Sequence, residues 1–170
     1  MEPKAAIIMG SVSDMKIMEE AAKVLDQLGI TFEIKALSAH RTPDEVKEYV
    51  SSSKNRGMQV IIAGAGGAAH LPGVIASFTT LPVIGVPCRS SISPDGWDSV
   101  LSILQMPPGI PVATVGLDAA RNAGILAAEI IALNDEEVAG KIITLREQMK
   151  EKVLNSNKEL DRSQYRHCSD

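Results

Sequence analysis

A single doubly wound α/β domain is the fold class this sequence predicts, and three observations carry it. Apolar runs of strand length recur at AAIIM (5–9), FEIKAL (32–37), VIIAG (60–64), LPVIGV (81–86) and VATVG (112–116). Each is followed by a turn signal and then by a stretch of helical periodicity, the alternation of a sheet built from βαβ units. The VIIAG run has no polar alternation, so both of its faces are expected to be buried, as in a parallel sheet covered on two sides. The right-handed crossover rule leaves few arrangements of such units, and the flavodoxin-like three-layer sandwich with strand order 2-1-3-4-5 is the expected one.

The elements follow in order. After the first strand, GSVSD (10–14) leads into a helix that reaches about Gly29, with an apolar stripe of Ile17, Ala21, Leu25 and Leu28. After the second strand, Thr42 reads as the N-cap of a helix, with Pro43 at its first position and Glu45 at the capping-box position. The third strand passes through GAGGAAHLPG (64–73) into a helix from about Leu71, and the fourth through the polar loop PCRSSISPDGWDS (87–99) into a helix near Asp98–Gln105. The fifth precedes an alanine-rich helix over 118–133. A final helix from about Asp135 carries the stripe Val138, Ile142, Leu145, Met149 and Val153. The domain is therefore expected over 1–155, with 156–170 as a polar tail.

Composition narrows the function classes. A chain of 170 residues suits one domain, and with only 3% aromatic residues its core must rest on aliphatic side chains. The net charge of −4 comes with no basic stripe and no aromatic platform, which argues against nucleic acid. Cys88 and Cys168 have neither disulfide-framework nor metal spacing, and no run reaches the length of a membrane span. A cytoplasmic protein with no membrane partner is the expectation.

In open α/β sheets, ligands bind beyond the carboxyl ends of the strands, at the point where the strand order reverses. That places the loops after strands 1, 2 and 3 at the site, and those loops hold the chemistry. In GSVSD, Gly10 permits close backbone approach. Ser11, Ser13 and the helix amides suit an anion, and Asp14 suits sugar hydroxyls. Ser13 or Asp14 as a plain N-cap explains this stretch equally well. In SAHRTP (38–43), Arg41 can hold a phosphate or carboxylate through two hydrogen bonds, and His40 can move a proton in either direction near neutral pH. GAGGAA (64–69) matches a dinucleotide fingerprint but follows the third strand rather than the first, with no acidic residue at the expected distance. It reads better as a Gly/Ala loop closing over a small planar ligand or carboxylate. His70 either caps the next helix or faces that ligand. Cys88 has nothing nearby in sequence to activate it and reads as structural. The 87–99 loop is a candidate cover for the pocket, and QMPPG (105–109) a candidate wall.

Taken together, Gly10-Ser11-x-Ser13-Asp14, Ser38-Ala39-His40-Arg41-Thr42-Pro43 and Ala63 through Gly73 resemble the signature loops of the PurE family, with Asp98-Ser99 and Gln105-Met106-Pro107 in agreement. The match runs from about residue 5 to about residue 133. The His-Arg form of the second loop and the GAGGAAH form of the third resemble the class I members, N5-carboxyaminoimidazole ribonucleotide mutases of de novo purine synthesis. The resemblance implies an isomerase that moves a carboxylate from the exocyclic amine to C4 of the imidazole, with no cofactor and no metal, usually as a homo-octamer. It also implies His40 as the proton-transfer residue. Ser11 and Arg41, helped by Ser13, would hold the phosphate, and Asp14 the ribose. Ser38, Gly64, Ala65, Gly66, Gly67, Ala68, Ala69 and His70 would surround the ring and the migrating carboxylate. Departures from the family pattern are Met15 in place of a common Trp, a slightly longer loop from Cys88 to Trp97, and a slightly shorter 116–124 segment.

Two alternatives stay open at this point: a class II carboxylase that uses carbon dioxide directly, and a non-catalytic flavodoxin-like nucleotide-binding module. The module reading fits poorly. A response regulator needs an acidic pair after strand 1, an aspartate ending strand 3 and a lysine ending strand 5, whereas this chain has a single aspartate, a glycine and no lysine near residue 116.

Overall fold

In the computed structural model, which describes residues 2–160, strand β3 (Val60–Gly66) runs through the middle of one parallel sheet. Strand β1 (Ala5–Met9) lies on one side of it and β4 (Val83–Cys88) on the other, and β2 (Phe32–Ala36) and β5 (Ala113–Thr114) form the edges. The order is 2-1-3-4-5, the expected one, and every pairing is parallel.

The register explains why the central strands read as unbroken apolar runs. Ile7, Ile62 and Ile84 stand opposite one another across β1, β3 and β4 and point to one face. Helices α1 (Met15–Gln27), α5 (Ala120–Ala132) and α6 (Glu136–Leu160) cover that face. Ala6, Ile8, Ile61 and Ala63 point to the other face, under α2 (Pro43–Ser53), α3 (Leu71–Ser77) and α4 (Trp97–Leu104). With both faces buried, alternation in sequence has no polar side to report. Glycine sets the closest approach in the first layer. An added Cβ at Gly124 on α5 would stand 2.9 Å from the Ala21 carbonyl oxygen of α1, so these helices cross nearly in backbone contact.

Several expectations need correction. Strand β5 is only two residues long; beyond it the chain keeps single bonds to β4, from Val115 N–H to Gly85 O and from Asp118 N–H to Pro87 O. Thr42 does not cap α2 with its side chain. Its hydroxyl is drawn back to Ser38, 2.9 Å from that residue's N–H and 3.2 Å from its carbonyl oxygen. The α6 stripe is buried only at Val138, Ile142 and Leu145, whereas Met149 is 47% and Val153 66% exposed, because the helix runs on past the layer it packs against. The same helix continues through Asn155 to Leu160; the rest of the expected tail, 161–170, lies outside the described residues. Among the described residues no helix is long and apolar enough to cross a membrane.

Candidate active site

The carboxyl ends of β1, β2 and β3 open onto a cavity of about 410 Å³. The topology brings there the loops that carry most of the chain's polar chemistry.

The β1 loop forms its floor. Gly10 continues the sheet by donating its N–H to Gly64 O at 3.3 Å, and a short 3-10 turn over Val12–Asp14 then precedes α1. Ser11 caps that turn by accepting the Ser13 N–H at 3.3 Å. The expected side-chain cap at Ser13 or Asp14 is not formed, since Ser11 caps the turn and Asp14, at the N-cap of α1, makes no side-chain cap bond; Ser11, Ser13 and Asp14 all line the cavity. Asp14 is buried among its neighbours, and burial holds its carboxyl above the usual value of 3.8, opposed by hydrogen bonds from the Ser13 side chain and the Ser11 backbone.

The β2 loop is a tight arch. The Thr42 N–H donates to Ser38 O at 2.9 Å, and the Thr42 hydroxyl closes the same arch from its side chain. His40 sits exposed at the arch's crown. Arg41 folds back across the arch: its Nε lies 3.4 Å from Ser38 Oγ, and its guanidinium donates to Gly10 O at 3.1 Å. These contacts fix the side chain between the β1 and β2 loops without neutralising its charge, since no carboxylate among the described residues pairs with it.

The β3 loop supplies the opposite wall. Ala65, Gly66, Ala68 and His70 line the cavity; Gly64 and Gly67 do not. Gly64 faces the other way, where an added Cβ would stand 2.2 Å from Met18 Sδ of α1. Gly67 is left-handed at φ +59° and covered by Ile92. Both are needed to shape the loop but neither presents a surface to the cavity. His70 does not cap α3 with its side chain. Its Nδ1 lies 2.8 Å from His40 Nε2, with the two rings edge to face at 5.0 Å, so one nitrogen must donate and the other accept.

Sequence reasoning did not single out Ala39, Leu71, Ser90, Ser91 and Ile92, which also line the cavity. The 87–99 loop was expected as a cover, but nothing in its composition shows which three residues border the cavity; Ile92 does so while remaining 80% exposed. QMPPG is not a wall of this cavity: Gln105 and Met106 border a neighbouring one of about 460 Å³ behind His70. Cys88 is fully buried, its thiol pushed up to about 12 by burial, with Asp14 and Asp118 adding to the effect, so it carries no nucleophile.

Such a site can seat an anion beside Arg41 and the β1 loop, present hydroxyls and Asp14 to a polar body, and offer an imidazole pair to a proton at the far wall.

Comparison with known proteins shows what the whole chain is similar to. The AIR carboxylase family matches residues 4–152. The N5-carboxyaminoimidazole ribonucleotide mutase of Thermotoga maritima is 52% identical over 96% of this chain and 95% of its own. That of Pyrococcus abyssi is 57% identical over 87% and 84%, and that of Bacillus subtilis 53% identical over 94% and 99%. Among solved structures, Treponema denticola PurE superposes with a TM-score of 0.82 at 32% identity, covering 94% of this chain and 99% of that one.

Proposed function

The chain belongs to the AIR carboxylase family, and from that premise we propose how it acts as an N5-carboxyaminoimidazole ribonucleotide mutase of purine biosynthesis. The observation that carries the mechanism is the convergence of an un-neutralised Arg41 and a His40–His70 pair on one cavity.

Arg41, Ser11 and Ser13 take the ribonucleotide phosphate, and Asp14 accepts from the ribose hydroxyls. Ser38, Ala65, Gly66, Ala68 and His70 surround the imidazole and its carbamate. The N–C bond of the carbamate breaks, carbon dioxide is released, and the bonding pair stays on nitrogen. His40 donates a proton there, leaving a neutral amine. The electron-rich C4 then attacks the same carbon dioxide and forms the new C–C bond. His40 takes back the C4 proton, which restores the aromatic ring and the starting state of the enzyme. Confinement by the Gly/Ala loop keeps the carbon dioxide beside C4, so recapture behaves as an intramolecular step. Residues of the chain perform each proton step, so the scheme calls for no cofactor.

Assembly as a homo-octamer is part of the same reading. It is supported by apolar side chains left uncovered on α4 and α6, among them Trp97, Leu101, Leu104, Met149 and Val153. Large apolar side chains left exposed in this way are candidates for burial between subunits, and light-scattering mass checks it.

The function is tested by offering the purified protein the carbamate ribonucleotide and, separately, aminoimidazole ribonucleotide with bicarbonate. Efficient turnover of the carbamate alone is the expected result. Turnover at low bicarbonate with no use of the carbamate would make it a direct carboxylase.

A further inference from the structure

Two segments, 88–97 and 116–124, are distant in sequence and meet in space. Leu117 lies directly on the backbone of Gly96, where an added Cβ would fall 2.5 Å from Leu117 Cδ1. Asp118 grips the loop's other end. Its Oδ1 accepts the Arg89 N–H at 2.9 Å, and its Oδ2 accepts from the Arg89 guanidinium at 2.8 Å.

We propose that the Leu117-Asp118 turn is a latch that holds the 88–96 loop as the outer wall of the cavity, which makes Asp118 a positioning residue for substrate binding. The inference rests on the mutase reading of that cavity.

Asp118 has the only positive φ of a non-glycine residue among the described residues, +56°. A side chain in that region is disfavoured unless its surroundings hold it. Here the Asp118 N–H is held by Pro87 O at 2.8 Å while its carboxylate is held by Arg89. The latched loop is what reaches the cavity. Ser90 and Ser93 exchange backbone hydrogen bonds of 3.2 and 3.1 Å, and this small turn lays Ser90, Ser91 and Ile92 along the wall. The fit is close enough to need glycine opposite: an added Cβ at Gly66 would stand 2.8 Å from Ser90 Cβ, and one at Gly67 would stand 2.7 Å from Ile92 Cδ1. The polar bonds within the loop are local ones, including Gly96 N–H to Ser93 O at 3.1 Å, and the Ser90 hydroxyl adds none within the protein. These bonds shape the loop locally, and the contacts of Asp118 with Arg89 and of Leu117 with Gly96 join it to the 117–118 turn. The Arg89 side chain is largely exposed, and a surface ion pair alone contributes little. The bond from the Arg89 N–H and the shape of the turn therefore carry the latch, and asparagine, which keeps both, can replace the aspartate.

The test compares wild type, Asp118→Ala and Asp118→Asn, by amide hydrogen exchange without ligand and by steady-state kinetics on the carbamate ribonucleotide. In Asp118→Ala, exchange at the Arg89 amide rises about tenfold. KM rises about tenfold with kcat within about threefold. Asp118→Asn stays near wild type in both. Unchanged exchange in the alanine variant overturns the latch. Faster exchange with unchanged KM overturns the positioning role, as does an equal fall of KM performance, kcat and Tm in both variants. If the wild type does not use the carbamate, the functional reading falls, while the ligand-free exchange still decides the latch.

Discussion

Helix α2 has an arginine just before it and another just after it, and the two have opposite fates. Arg56 is consumed by the fold: its guanidinium donates to both Glu33 oxygens at 2.8 and 2.9 Å and stacks on the Tyr49 ring at 4.4 Å, while the Tyr49 hydroxyl donates to the same carboxylate at 2.7 Å. Arg41 meets a hydroxyl and a backbone carbonyl, and keeps its charge. The difference shows how a fold separates stability from function with one residue type. A charge answered within the chain stiffens the structure, and a charge held in place but unanswered is left for a ligand.

That contrast breaks or sharpens in a series of substitutions. The largest effect is expected at His40, beside the unanswered arginine. His40→Asn retains ligand binding by calorimetry but loses at least about 100-fold in turnover, the usual worth of a positioned proton donor. Near-normal turnover would remove His40 from the reaction. Arg41→Ala comes next: losing charge-assisted bonds to the phosphate costs about 2–3 kcal/mol, seen as a KM raised roughly 100-fold. Arg41→Lys should recover only part of this, because a lysine cannot make the paired contact. Arg56→Ala should show the reverse pattern, with about 1–2 kcal/mol lost in denaturant unfolding and KM unchanged. If Arg56→Ala alters KM and Arg41→Ala lowers stability, the division of labour is wrong.

The smallest effect is expected at Asp14. Burial raises its folded pKa above the ordinary 3.8. The native state is then at no disadvantage below 3.8, and loses stability as pH rises through the higher folded value and the carboxylate charges. Asp14→Asn should therefore raise Tm at neutral pH, with the gain disappearing as the pH falls below 3.8, while ligand binding weakens. A pH-independent difference in Tm would contradict this.

The sheet order and both faces of the core were legible because the strands are long, apolar and separated by helices of clear period. What was not legible depended on contacts across the fold. Thr42 has every sequence feature of a side-chain cap, yet its hydroxyl closes the arch at Ser38 instead. The α6 stripe keeps its period through Val153, but periodicity does not show where the neighbouring layer ends. Within the site, His40, Arg41 and His70 were legible from residue type and loop position. Ser90, Ser91 and Ile92 were not, because their loop is joined to Asp118, a partner almost thirty positions along the chain from Arg89. Gly64 and Gly67 show the converse: a glycine-rich signature marks a loop without telling which glycines face the ligand and which make room for Met18 or Ile92.

That one cavity breaks the carbamate and recaptures the same carbon dioxide is the step on which the mechanism rests. It is tested most directly by turning over substrate labelled isotopically at the carbamate carbon in a large excess of unlabelled bicarbonate. The C4 carboxylate of the product is expected to keep the label. A product carboxylate diluted to the isotopic composition of the bulk bicarbonate would contradict it.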